Sequence, residues 1–264
     1  MTTQPDLDAR IQSFYAAQFD EAARLTRRSA AGQVELLRVR EALDRELDPS
    51  SVVLDVGGAT GVHARWLAER GHTVTLVDPV PEQVAAATAL GGFAAEQGDA
   101  RALRFADGSF DAALLFGPLY HLRSREDRVL ALSEAHRVLR PGGRVLVSAI
   151  SRTIALLDIV SRARFADLPG DGLLRLLETG EALDLDSGFP AGHFHTAEEL
   201  ADELASAAFH GAEVTGIEGP GSYALELVPP SDDVVAAGMT LASRAQGHPI
   251  SADLSGHLLG TATR

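Results

Sequence analysis

Asp55, Gly57, Gly58 and Gly61 lie together in the stretch VLDVGGATG, and Asp78 closes the next apolar run, VTLVD. Glycine has no Cβ, so a turn built from it lets the backbone approach a ligand closely. The helix that follows such a turn offers free N–H groups and a positive dipole end, which suits a nucleotide-like or carboxylate-bearing ligand. An acid at the end of the second strand is placed to accept the two hydroxyls of a ribose. At an open crevice that carboxylate is expected to be hydrated when no ligand is present. A side chain at Gly57 is expected to intrude on the ligand. Asp99 and Phe116 close the third and fourth apolar runs. His121, with Tyr120 beside it in GPLYHL, follows the fourth run and is the candidate base for a hydroxyl or an acidic carbon. His193 and His195 form an H-x-H pair, but no nearby third ligand accompanies them in sequence. They therefore read as cap residues, with His193 near the substrate and no metal called for.

The elements that hold these residues follow from periodicity. Val52–Leu54, Val74–Val77, Phe93–Gln97, Phe110–Phe116 and Val145–Ile150 read as strands, separated by helical patterns after Gly61, over Glu82–Leu90 and after Ser124. Strands alternating with helices imply a parallel, doubly wound α/β sheet, whose ligands bind beyond the carboxyl ends of the strands. Asp55, Asp78, Asp99 and Phe116 all stand at such ends. Two helices precede the first strand, over residues 6–30 and 32–47. The first carries Tyr15, Arg24 and Arg27 and is placed to lie across the crevice. Ile154–Phe165 and Gly172–Leu183 break the alternation and read as a small helical cap containing few aromatics, Phe165 and Phe189. Thr196 and Glu199 form a capping box for a further helix. Strands Ala212–Glu218 and His257–Ala262 flank a helix over Asp232–Arg244. The division implied is a lid over 1–50, a ligand-binding core over 51–150, a cap over 151–195 and the rest of the core over 196–264.

In this order the motifs resemble those of the class I S-adenosylmethionine-dependent methyltransferases. VLDVGGATG matches that family's D-x-G-x-G-x-G at Asp55, Gly57 and Gly61, with Ala59 in place of the middle glycine. VTLVDPV, GDARAL, FDAALLFGPLYHL and RVLRPGGRVLVSAI match the motifs that follow. The resemblance implies a Rossmann-like seven-stranded sheet with an antiparallel last strand. It implies Asp78 and Pro79 at the ribose, Asp99 and Ala100 at the adenine, and the turn residues with Phe116 around the remainder of the cofactor. Tyr15 resembles the family's lid, and Arg24 is placed to meet the methionine carboxylate. The activity implied is direct methyl transfer to a small-molecule acceptor through oxygen, nitrogen or carbon, with Tyr120 and His193 at the substrate. A non-catalytic protein that binds the same cofactor is the alternative. A nicotinamide oxidoreductase is further off, because G-x-G-x-x-G is absent and Val62 stands where its last glycine would be.

Composition narrows the partners. The chain has 264 residues, 45% of them hydrophobic, which is enough for one large α/β domain with a cap. With no cysteine, disulfides, thiolate metal sites and a cysteine nucleophile are excluded. A net charge of −14 repels phosphate backbones, so nucleic acid is not an expected partner. The start MTTQPDLDAR has neither the basic segment nor the apolar core of a signal peptide, and no apolar run approaches the ~18 residues of a membrane span. A cytoplasmic protein is expected, either a monomer or a homodimer.

Overall fold

The computed structural model describes residues 3–17, 21–162, 170–183, 189–248 and 250–264. Gln18, Phe19 and Phe165, which the sequence placed in the first helix and the cap, lie outside that set. Seven strands form one sheet: β1 (Val52–Val56), β2 (Thr73–Asp78), β3 (Ala94–Gln97), β4 (Phe110–Leu115), β5 (Leu139–Ile150), β6 (His210–Gly216) and β7 (His257–Thr263). Their order is β3-β2-β1-β4-β5-β7-β6. β7 pairs antiparallel with both β5 and β6, so it alone runs against the rest, as the resemblance implies. The chain winds outward from β1 to β2 and β3, then crosses back to β4. The crevice between β1 and β4 is therefore the switch point at which an open α/β sheet binds ligands.

The helices are α1 (Gln4–Ala17), α2 (Glu21–Ala23), α3 (Ala30–Glu46), α4 (Val62–Ala68), α5 (Pro81–Leu90), α6 (Arg125–Val138), α7 (Arg152–Arg162), α8 (Gly170–Thr179), α9 (Ala197–Ser206), α10 (Ser222–Glu226) and α11 (Asp232–Ala245). A π-helical turn, Arg24–Arg28, follows α2. Within the span of the first predicted helix the described residues form α1, α2 and the π-helical turn, and the short α10 carries no sequence signal strong enough to have been read.

Both sheet faces are covered, which is why the central strands read as near-continuous apolar runs. Leu54, Val56, Ala113 and Leu115 pack against Leu132 and Ala135 of α6 and Leu200 and Leu204 of α9. Val53, Ala112 and Leu114, the alternate positions, pack against Val39 and Leu43 of α3 and Ala64 and Leu67 of α4. The start of α6 is fixed by Ser124, whose hydroxyl accepts from the Asp127 amide at 3.0 Å. The capping box of α9 is complete, with Glu199 and Thr196 each accepting from the other's backbone. α1 lies over the carboxyl ends of the strands: Leu7 and Ile11 bury against Val80, just past β2. The cap has its own small core of Ala155, Leu176, Ala182 and Phe194, joined to the sheet through Ile150. Among the described residues no helix is long and apolar enough to cross a membrane.

Candidate active site

A pocket opens at the carboxyl ends of the strands, between the β1 turn, α1 and the segment after β4. Its floor is the glycine turn. The Gly57 amide donates to the Val77 carbonyl at 2.7 Å, which stitches the turn to β2. Gly57 and Gly61 have φ of +71° and +88°, the left-handed region that glycine enters without penalty. A Cβ on Gly57 would stand 2.9 Å from Pro118 Cδ. The sequence placed that side chain against a ligand, but its first obstacle is the protein itself. Gly58 has no room for a side chain because Asp55 Oδ2 lies directly beneath, 2.6 Å from where a Cβ would sit. Ala59 holds a left-handed φ of +49°, a strained conformation for a residue with a Cβ.

Two carboxylates lie under this turn. Asp55 is 1% exposed, and its Oδ2 is buried with no hydrogen-bond partner among the described residues. Burial, with the nearby charge of Asp78, lifts it to about 7, against a weaker pull from the Ala64 amide. Asp78 accepts from the Ala59 amide at 3.0 Å through Oδ2 and from the Val80 amide at 2.9 Å through Oδ1. It is 6% exposed, so the hydrated carboxylate expected from sequence is instead a buried one that shapes the turn. Burial raises it to about 6 despite those two bonds. Each of its oxygens keeps a second lone pair for a ligand hydroxyl. Pro79, Ala100 and Phe116 line the same space, and Phe116 meets His63 edge-on at 5.4 Å between ring centres. Asp99 also lines it, held by the Arg101 guanidinium, which reaches Asp8 of α1 as well.

On the other side of the pocket stands an aromatic wall. Tyr15 from α1 donates its hydroxyl to His121 Nε2 at 3.1 Å. His121 Nδ1 lies 2.8 Å from the Pro190 carbonyl, so the proton is on Nδ1 and Nε2 accepts. Burial pulls His121 down to about 4. Tyr15, Tyr120 and His121 line the pocket, and Phe14 and Phe189 stack behind them. The few aromatics of the cap therefore understated the site, because most of this wall comes from α1 and the segment after β4.

Two sequence expectations meet a different arrangement. Arg24 lines the pocket but its guanidinium binds Glu35 (2.6 and 2.8 Å) and Glu21 (2.7 and 2.9 Å), so four of its five N–H donors are committed to carboxylates of the chain. Gly32 permits that approach: a side chain there would collide with the Arg24 carbonyl. His193 is not among the residues lining the pocket; it is buried against His195, with Nε2 3.7 Å from Glu199. His195 in turn bonds Glu203, the buried partner of Arg128. These residues fasten the cap to α9. Sequence reading also missed Glu35, His63 and His257, all of which line the pocket. A signal existed for His257: the first residue of an antiparallel last strand must lie at the carboxyl end of its parallel neighbours.

A seven-stranded sheet of this order, with a glycine turn and acids at the ends of β1 and β2, defines the fold of the class I methyltransferases. A family model described as “Methyltransferase domain” matches residues 54–147. A demethylmenaquinone methyltransferase of Beutenbergia cavernae is 38% identical over 142 residues, covering 52% of this chain and 58% of that protein. A ubiquinone biosynthesis O-methyltransferase of Xylella fastidiosa is 32% identical over 171 residues, 62% of this chain and 63% of that one. The chain thus spans about half to just under two thirds of each. Among solved structures, the 1,6-didemethyltoxoflavin-N1-methyltransferase of Burkholderia thailandensis, with 1,6-didemethyltoxoflavin and S-adenosylhomocysteine bound, superposes with a TM-score of 0.58 at 18% identity, covering 100% of this chain and 91% of that one. An S-adenosylmethionine-dependent methyltransferase of Mesorhizobium loti gives 0.57 at 21% identity, covering 88% and 100%. Residues 54–147 thus match a methyltransferase domain, and the fold is the one these S-adenosylmethionine-dependent methyltransferase structures share.

Proposed function

We propose that this chain transfers a methyl group from S-adenosylmethionine to a small, flat organic acceptor by direct displacement. The observation that carries the reading is Asp55 and Asp78, two buried acids with acceptor capacity to spare, under a glycine turn that continues into an aromatic wall. The cofactor fits this pocket. It is a cation, and Asp8, Glu21, Glu35, Asp55, Asp78 and Asp99 outnumber Arg24 and Arg101 around the cavity. When bound, it supplies an electrophilic methyl on a sulfonium.

The residues of the chain hold and orient. Asp78 takes the ribose hydroxyls on its free lone pairs, with Pro79 beside it, and Asp99 and Ala100 stand where the adenine ends. Asp55, beneath Gly58, fixes the turn and supplies negative charge. Tyr15 and α1 close the crevice and keep water from the reacting centre. Phe116, Tyr120 and His121 stack the acceptor, which places nucleophile and methyl in line, the main contribution an enzyme makes to such a displacement. His121 reaches an acceptor only by exchanging its bond to Tyr15. Curated relatives named for menaquinone and ubiquinone biosynthesis, and the aromatic wall, support a flat ring as acceptor. Small molecules rather than nucleic acid, in the cytoplasm, are the proposed setting. Calorimetric titration with S-adenosylhomocysteine tests the reading. Saturable binding with a raised melting temperature is expected. No heat and no thermal shift at millimolar ligand would refute it.

A further inference from the structure

His257 opens β7, the strand that runs against the others, and pairs with Ile150 at the end of β5. His257 is thereby carried to the pocket, which Ser148 of β5 also lines. Nδ1 lies 2.5 Å from Glu218 Oε1. That carboxylate is 2% exposed and also accepts from the Ser255 hydroxyl at 2.8 Å and from the His257 backbone at 2.9 Å. Glu35, bonded to Arg24, stands 3.6 Å from Nδ1. Because Nδ1 carries the proton of the Glu218 bond, a neutral ring presents its lone pair on Nε2. Nε2 has no hydrogen-bond partner among the described residues. The same proton leaves Nδ1 without a lone pair for a metal. The acids assigned to the cofactor end β1, β2 and β3, whereas this dyad stands beyond β4 and β5, on the acceptor side. An imidazole backed by a buried, fully bonded carboxylate, with one open nitrogen on a cavity, is prepared to take a proton.

We propose that His257 is the general base for a phenolic or enolic acceptor, and that Glu218 is the residue that positions it. The proposal deepens the methyltransferase reading and rests on it. In the step, the acceptor O–H bond breaks toward Nε2 and its electron pair stays on oxygen. That oxygen bonds the methyl carbon, and the pair of the broken S–C bond stays on sulfur. The positive charge that leaves sulfur ends on an imidazolium facing Glu218 and Glu35. Burial opposes a charged ring here, but Glu35 and Glu218 outweigh it, against a smaller opposition from Arg24, and lift His257 to about 9. The charged and titratable groups facing it are Glu35 of α3, Glu218 after β6 and Arg24 of the π turn, with His63 of α4 facing Glu35. A base of that strength is matched to a weakly acidic hydroxyl. His121 is not: both its nitrogens are bonded, and burial lowers it.

4-Nitrophenol tests this, because its anion is coloured and its neutral form is not. Added to the complex with S-adenosylhomocysteine, at a pH where the free phenol is mostly protonated and His257 is already an imidazolium, it is expected to show the phenolate band, because the imidazolium holds the phenolate as its ion pair and the phenol's own proton goes to solvent. His257→Gln is expected to lose that band while binding S-adenosylhomocysteine as the wild type does, which also shows that the variant folds. With S-adenosylmethionine, methylation of the same phenol should fall by roughly 10²–10⁴-fold in His257→Gln. Wild-type kcat/KM should rise with pH to a break near 9, and Glu218→Gln should move that break to lower pH, which a merely structural role would not do. A wild-type complex without the band, a band that survives His257→Gln, or an unmoved break in Glu218→Gln overturns the proposal alone. Failure of the wild type to bind S-adenosylhomocysteine overturns the methyltransferase reading and the proposal with it.

Discussion

Asp78→Ala separates the two roles of that carboxylate. In the free protein it removes the acceptor of the Ala59 and Val80 amides, bonds of 3.0 and 2.9 Å at a residue 6% exposed. A buried N–H left without a partner costs about 1–3 kcal/mol, so the loss is about 2–6 kcal/mol before any compensation. The compensation depends on pH. Burial raises Asp78 from an ordinary 3.8 to about 6, so its ionised form already costs the fold about 3 kcal/mol. A carboxyl raised in the folded state contributes stability that is fully present below about 3.8 and is lost as pH rises through about 6. The variant has no such carboxyl, so its deficit in melting temperature should be large in acid and shrink as pH rises past that window. Cofactor binding should fall as well. Two hydroxyl bonds to a charged acceptor contribute roughly 1.5–3 kcal/mol each with incomplete additivity, about 2–4 kcal/mol together. That is a roughly thirty- to thousandfold rise in Kd. Asp78→Asn, which keeps one neutral acceptor oxygen, should recover part of both losses. Melting curves across pH and calorimetric titration with S-adenosylhomocysteine read the two effects separately. Wild-type affinity in Asp78→Ala would mean that the ribose lies elsewhere. A melting deficit that grows with pH would refute the account of its burial.

Three further outcomes are expected. Ala59→Gly relieves a left-handed φ of +49° and should raise stability by up to about 1 kcal/mol after the entropic cost of glycine; a lower melting temperature would show that the methyl group packs usefully. Binding of S-adenosylmethionine should release protons and strengthen as pH rises through 6 to 7, since Asp55 and Asp78 ionise there next to a cation; titration in buffers of different ionisation enthalpy measures this, and proton uptake would contradict it. Glu203→Ala should destabilise the chain by about 3–5 kcal/mol, because Arg128, 2.7 Å from Glu203 and 4% exposed, is left as a buried charge without its counter-ion; a denaturant midpoint within error of wild type would refute that.

Local signals in the sequence determined the sheet, the switch point and the glycine turn and acids that line the pocket there. Apolar runs of strand length, a glycine turn between β1 and α4, and acids at the ends of β1 to β3 are properties of neighbouring residues, so they survive in a linear reading. Ser124, Thr196 and Glu199 marked helix starts for the same reason. Partners far apart in the chain were decided by the tertiary structure alone. Arg24 could be drawn toward a methionine carboxylate from sequence because nothing local shows that Glu35, on the following helix, folds back to take it. Asp78 read as hydrated because burial is set by α1 packing over Val80. The aromatic wall joins Phe14 and Tyr15 to Tyr120, His121 and Phe189, and Glu35, Glu218 and His257 come from α3, the end of β6 and the start of β7. Which side chain pairs with which is fixed only when the sheet is closed by an antiparallel last strand. That pairing turns a histidine near the C-terminus into a wall of the pocket.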